Sequence, residues 1–315
     1  MGAFPWEGRR ATVGTAPGEP KTPMAPGRAS GELGRKAFRS ASVLRTCKGT
    51  HMDALAQFKA AQRQAWAHFT PFELTTSGTA ARLVAFAGVQ AGQRVLDVGC
   101  GTGVVAITAR RRGAQATGLD LTPELLKRAR ENAAVADVDV EWHEGDAESL
   151  PFGDGAFDIV LSQFGHMFVP RPEVATREML RVLKPGGLIA FSTWPPELCL
   201  GRIFTLIGRY LPPPPAFASP PPQWGDPTIV RDRLGAAVTG LVFDRAVMLF
   251  PTLSPAHYRL FFEDNAGPVL RLVQTLQGEP ARLAAFRREF DEIATQYFQD
   301  NIVRQDYLMT RATKV

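Results

Sequence analysis

One short segment restricts the fold more than any other. Residues 94–98, an apolar run with strand character, lead directly into Gly99-Cys100-Gly101-Thr102-Gly103. Glycine at alternate positions permits a tight turn and lets a ligand lie against bare backbone. The helix that opens behind such a turn has free N–H groups at its start. The dinucleotide fingerprint needs glycine or alanine at position 104, where Val104 stands. By itself the turn implies a ligand at a strand end and leaves its identity open.

The surrounding elements alternate. Residues 116–119, 138–143, 158–162 and 188–193 read as short apolar strands. Residues 103–112, 123–134 and 173–183 read as helices. Thr122 is placed to cap the second of these, and Pro123 suits its first turn. Strands alternating with helices imply a parallel sheet with right-handed crossovers. Ahead of this unit, Leu55, Phe58, Ala61, Ala65 and Phe69, with Trp66 beside them, mark an amphipathic helix over 52–70, and 79–87 reads as another. After Trp194 the rhythm breaks. A helix over 201–211 precedes two proline clusters, 212–215 and 220–222. A helix at 227–234, a strand at 241–250, helices at 255–262 and 279–298, and an alternating edge strand at 307–314 complete the chain.

Composition decides what the unit can serve. The chain has 315 residues, which at about 150 residues per domain suggests two domains or one large one. No run approaches the roughly 18 consecutive apolar residues of a membrane helix. Three cysteines are too few for a disulfide scaffold or structural zinc site, which fits a reducing, cytoplasmic setting, and no metal is implied. The net charge of +5 is unevenly spread. Residues 1–51 carry nine Lys/Arg against three Asp/Glu, and the rest carries 27 against 28. The body has no basic surplus for a phosphate backbone, so nucleic acid is not the expected partner. The same 51 residues hold eight Gly and five Pro and no apolar periodicity, which reads as a disordered tail or as sequence upstream of a start at Met52.

Two carboxylates complete the pattern. Asp120 ends the second strand, where it can accept from ribose hydroxyls. Asp146, in Gly145-Asp146-Ala147-Glu148 after the third strand, can accept from an adenine amino group while the Ala147 N–H donates to the ring. A turn, a ribose acceptor and an adenine acceptor then share one sheet edge, where open parallel sheets bind ligands.

With these residues in view, the chain resembles a class I S-adenosylmethionine (SAM) dependent methyltransferase. The resemblance rests on VLDVGCGTG (95–103), TGLDLTPELLKRAR (117–130), EGDAESLPF (144–152), FDIVLS (157–162) and EMLRVLKPGGLIAFSTW (178–194), in the family's order; YLMTRATK (307–314) resembles its last strand. It implies a Rossmann-like α/β fold with a seven-stranded, mostly parallel sheet, helices on both faces, and a lid insert at about 195–240, in one domain over 52–315 with its core at 90–194. It also implies roles: Asp97 by the methionine amino end of SAM, Gly99 and Gly101 as backbone contacts, Asp120 on the ribose, Leu121 on the adenine, Asp146 and Ala147 on its edge, and Ser162 and Gln163 near the methionine moiety. GDAESLPF and RVLKPGG are most similar to the branch containing the ubiquinone/menaquinone-biosynthesis C-methyltransferases. That branch carries an Arg-Asn pair after strand four, where this chain has Met167 and Phe168.

The expected reaction is in-line methyl transfer from SAM to an O, N or C atom of a small, fairly apolar molecule. His166, following strand four, is the candidate base. Phe164 and Trp194 are expected to wall an acceptor pocket, with Trp66, Trp224 and Phe261 as further candidates. A quinone C-methyltransferase, a non-catalytic SAM-binding protein and an NAD-dependent oxidoreductase are the alternatives; Val104 and the Asp146-Ala147 pair argue against the last.

Overall fold

The computed structural model describes residues 43–315, with side chains from Ala54 onward. The expectation for the tail therefore lies, up to residue 42, outside the described residues. Its end differs from the expectation, because the first helix, α1 (Val43–Trp66), starts ahead of Met52. The compact body is His51–Val315.

Seven strands form one path in the order β3-β2-β1-β4-β5-β8-β6. They are β1 (Arg94–Val98), β2 (Gln115–Asp120), β3 (Glu141–Glu144), β4 (Phe157–Gln163), β5 (Leu183–Thr193), β6 (Val238–Pro251) and β8 (Ile302–Lys314). An eighth, β7 (Phe298–Gln299), pairs only with β8. Between them Asp300 and Asn301 both take positive φ, as tight hairpin turns require. Strands β1 to β5 are parallel, and β8 runs antiparallel to both neighbours.

Alternation along the central strands splits the core in two. Val95, Ile159 and Leu161 join one buried cluster, and Leu96, Val98 and Val160 join the other. Both faces are thus covered, which is why these strands read as continuous apolar runs. The first cluster is closed by α2 (Glu73–Phe86) and α3 (Val104–Arg111). The connecting helices α4 (Pro123–Val135) and α5 (Pro172–Val182) follow β2 and the β4 loop. Beyond β5 come α6 (Cys199–Tyr210), α7 (Pro227–Leu234), α8 (Pro255–Asn265), α9 (Gly267–Thr275) and α10 (Pro280–Thr295). Helix α9 has no counterpart in the sequence reading.

Local chemistry explains two features near the site. Gly103 takes φ +84°, and a Cβ there would stand 2.5 Å from the Trp142 ring; one on Gly118 would stand 2.4 Å from it. The glycines make room for the indole that β3 lays across the turn. Thr122 occupies the N-cap position of α4, but its side chain does not cap the helix. Its N–H donates instead to Asp120 Oδ1 at 2.8 Å.

Candidate active site

The chain leaves β1 toward β2 on one side and returns to β4 on the other, so β1 and β4 flank a topological switch point. Ligands of open α/β sheets bind at the carboxyl ends beside such a point. Here a cleft with about 820 Å³ of empty space opens there. Its walls include Gly99 and Gly101 of the turn, Asp120 at the end of β2 and Leu121 after it, Asp146 and Ala147 after β3, and Gln163 at the end of β4.

The turn is held by the carboxylate beside it. Asp120 Oδ2 accepts from the Gly101 N–H at 2.8 Å while Oδ1 accepts from Thr122. Burial raises its pKa, and these amide bonds oppose the shift. Each oxygen keeps acceptor capacity toward the cleft. Gly101 has open space where a Cβ would be, so a ligand can approach its backbone. At Gly99 (φ +66°) the absent Cβ makes room for the β4 loop, since Gly165 Cα lies 3.0 Å from that position.

Asp97 departs from its expected place. Alternation turns it to the Val95 face, where Oδ2 accepts from the Ala106 N–H at 3.1 Å. It pins the start of α3 and does not border the cleft. Burial pushes its pKa up to about 8, and the nearby Asp120 charge adds to this.

Asp146 accepts from the Glu148 N–H at 2.9 Å and from Lys59 Nζ at 2.5 Å. Lys59 also meets Glu148 at 2.6 Å, and Glu148 is held from its other side by Arg171. Gln62 donates to the Phe168 carbonyl at 2.7 Å, and Arg63 donates to the Leu121 carbonyl at 2.8 Å and pairs with Glu144. Residues 59, 62 and 63 share one face of a helix. Helix α1 is thus stitched across the cleft mouth by three polar side chains that the apolar periodicity did not single out.

The end of β4 also differs from expectation. Phe164 adopts φ +63°, uncommon for a non-glycine residue, and the chain turns sharply into a short 3-10 segment at Gly165–Phe168. Ser162 Oγ donates to the Val98 carbonyl at 2.5 Å and accepts from the His166 N–H at 3.1 Å. It braces the loop and does not border the cleft. Gln163 does border it: Nε2 donates to the Thr76 carbonyl at 2.9 Å, and Oε1 is buried without a partner. His166 is fully buried, its ring 4.6 Å from Phe191 and 4.7 Å from Trp224. Neither ring nitrogen is exposed or hydrogen-bonded. Burial, with Arg233 nearby, lowers its pKa to about 3. The residue borders the cleft, but its imidazole packs against Phe191 and Trp224 with both nitrogens buried, so the structure does not support the base role.

A second cavity, with about 580 Å³ of empty space, adjoins the cleft. The two share Trp66, Phe69, Phe164 and Phe168. Its remaining walls include Trp194 and the α6 residues Leu200, Ile203, Phe204 and Ile207; Thr76 and Gln305 are its polar exceptions. Phe164 stacks on Trp194 with ring centroids 4.0 Å apart. Trp66, Phe164 and Trp194 thus line this space. Trp224 is instead buried against His166, and Phe261 lines a separate surface groove. Among the described residues no cluster of three or more His, Cys, Asp or Glu side chains could hold a metal, and no helix is long and apolar enough to cross a membrane.

These groups fit SAM. A carboxylate with spare acceptor capacity, a bare glycine turn, a buried unpartnered amide oxygen and apolar walls suit a molecule with ribose hydroxyls, an adenine ring and a cationic tail. Comparison with known proteins agrees. A family model described as a methyltransferase domain matches residues 96–191. An uncharacterized protein of Mycobacterium tuberculosis is 36% identical over 235 residues, covering 74% of this chain and 85% of the relative. A demethylmenaquinone methyltransferase of Thermus thermophilus is 40% identical over 117 residues, 36% of this chain and 53% of that protein. Among solved structures, the YcgJ protein of Bacillus subtilis aligns with a TM-score of 0.51 at 20% identity over 75% of this chain and 98% of that one, a likeness of fold. The chain belongs to the family of SAM-dependent methyltransferases, enzymes with a Rossmann-like class I fold and SAM as cofactor.

Proposed function

We propose that the protein transfers a methyl group from SAM to an O, N or C atom of a small, apolar molecule. The observation that carries this reading is the junction of two spaces: a polar cleft at the strand ends opens onto an apolar cavity through four shared aromatic rings. SAM supplies a methyl group on a sulfonium, and displacement in line with that S–C bond leaves S-adenosylhomocysteine.

The chain's residues bind, orient and exclude water. Asp120 would accept from the ribose hydroxyls, and Leu121 would pack on the adenine. Asp146 and the Ala147 N–H would meet the adenine edge, with Lys59 sharing or releasing the Asp146 oxygen it holds. Gln163 Oε1, buried and unpaired, would take a donor from the methionine end or the acceptor. The shared rings attract a cation and keep water from the reacting atoms. Positioning and desolvation of this kind can lower a barrier by about 7–11 kcal/mol without a general base. Helix α1 and the α6 part of the 195–240 insert would form the cover.

A quinone acceptor is the second reading. The Thermus relative favours it, over about half of that protein's length. Met167, which is buried, and Phe168, which lines both spaces, stand in place of that branch's polar pair and weigh against it.

The test is incubation of the full chain with SAM labelled in its methyl group and a panel of phenols, amines and reduced quinones. Label recovered in an organic extract supports methyl transfer. SAM bound but no label transferred across the panel would favour a binding protein without catalysis.

A further inference from the structure

The apolar cavity contains one group at odds with its surroundings. Gln305, on β8, is wholly buried and borders that cavity without bordering the cleft. Its Nε2 donates to the Tyr258 hydroxyl at 2.5 Å. Tyr258 is also wholly buried. The Tyr258 oxygen thus accepts from the amide nitrogen. That bond fixes which end of the amide stays free, and it is the oxygen. Gln305 Oε1 has no partner, and among the cavity's lining residues it is the only buried side-chain polar atom left so. The other polar lining residue, Thr76, donates its hydroxyl to the carbonyl of Phe72, the residue ahead of its helix, at 2.9 Å.

A buried amide oxygen without a donor destabilises the fold relative to a leucine or methionine of similar volume. A ligand's donor removes that cost. We propose that Gln305 determines acceptor specificity: its carbonyl receives a hydrogen bond from a hydroxyl or N–H group carried on the body of an otherwise apolar acceptor. Because Gln305 lies off the cleft, that donor group is distinct from the atom methylated. The acceptor class is therefore an apolar molecule with one hydrogen-bond donor remote from its methylation site. Tyr258 is the positioning residue. This inference rests on the methyltransferase reading, since it treats the apolar cavity as the acceptor's.

The experiment uses the full chain saturated with S-adenosylhomocysteine. Calorimetry compares 2-naphthol with naphthalene, a pair alike in shape that differs in one hydroxyl. Gln305 predicts that 2-naphthol binds about ten- to hundredfold more tightly. Gln305→Met should bring that ratio close to one while retaining naphthalene binding. Tyr258→Phe, which frees the amide to turn over, should lower the ratio and, by leaving a buried donor unpaired, the melting temperature, with cofactor affinity unchanged. A ratio near one in the wild-type protein, a ratio unchanged by Gln305→Met, or failure of both probes to bind would overturn the proposal. Should Gln305→Met not fold, the wild-type ratio and Tyr258→Phe still decide. Absence of S-adenosylhomocysteine binding at the outset would instead strike the underlying methyltransferase reading.

Discussion

Replacing His166 with phenylalanine separates a buried imidazole from a catalytic one. In the folded protein its pKa is lowered to about 3, chiefly by burial, against 6.5 for an ordinary histidine. The sign follows from linkage. Below pH 6.5 the unfolded chain takes up a proton that the folded protein refuses, so stability falls as pH falls, down to about pH 3. Each pH unit in that window is worth about 1.4 kcal/mol, so between pH 6.5 and 5 this one group costs about 2 kcal/mol. Phenylalanine fits between Phe191 and Trp224 and removes two unpartnered nitrogens. Its larger ring offsets part of that gain, so stability at pH 7 should stay within about 2 kcal/mol of wild type. Urea denaturation of both proteins at pH 6.5 and pH 5 tests this: the variant should gain about 2 kcal/mol on wild type across the interval. Methyl transfer should persist within a few-fold. Parallel pH dependence in the two proteins, or a loss of turnover of about a hundredfold or more, would refute the argument and restore the base.

Three further outcomes follow. Asp120→Ala should weaken SAM binding at least about tenfold, because it removes the ribose acceptor and frees the Gly101 N–H, and calorimetry reads this directly. Asp97→Asn should leave melting unchanged near pH 4 and raise it relative to wild type toward pH 8: the raised pKa means that the folded state holds a proton the unfolded chain has released, so stability declines through that window in the wild type only. Gly103→Ala should destabilise by about 1–3 kcal/mol, since the new methyl meets the Trp142 ring at a positive φ, and chemical denaturation measures it.

Much of the catalytic unit is legible in the chain because its determinants are local. The bounds of β1 and α7 match their sequence patterns, and Asp120, Leu121, Asp146 and Ala147 reach the cleft because each follows a strand end. What escapes depends on contacts distant in sequence. Lys59 meets Asp146 across 87 residues, and Gln305 joins the cavity through a strand returning from the far end of the chain. His166 falls in the right loop, but its direction follows from the positive φ at Phe164, which no residue type announces, and Ser162, still within β4, is spent on the Val98 carbonyl and the His166 N–H. Asp97 sits beside the glycine turn, yet strand alternation turns it away from the cleft toward α3. Strand position located these residues, and packing decided which way they point.

If the cleft at the strand ends is the SAM site, cofactor binding by the full chain must show it. Calorimetric titration of the full chain with SAM, S-adenosylhomocysteine and NAD tests it most directly. SAM and S-adenosylhomocysteine should bind with roughly micromolar or tighter affinity, and NAD should not bind. Binding of NAD, or of none of the three, would contradict it.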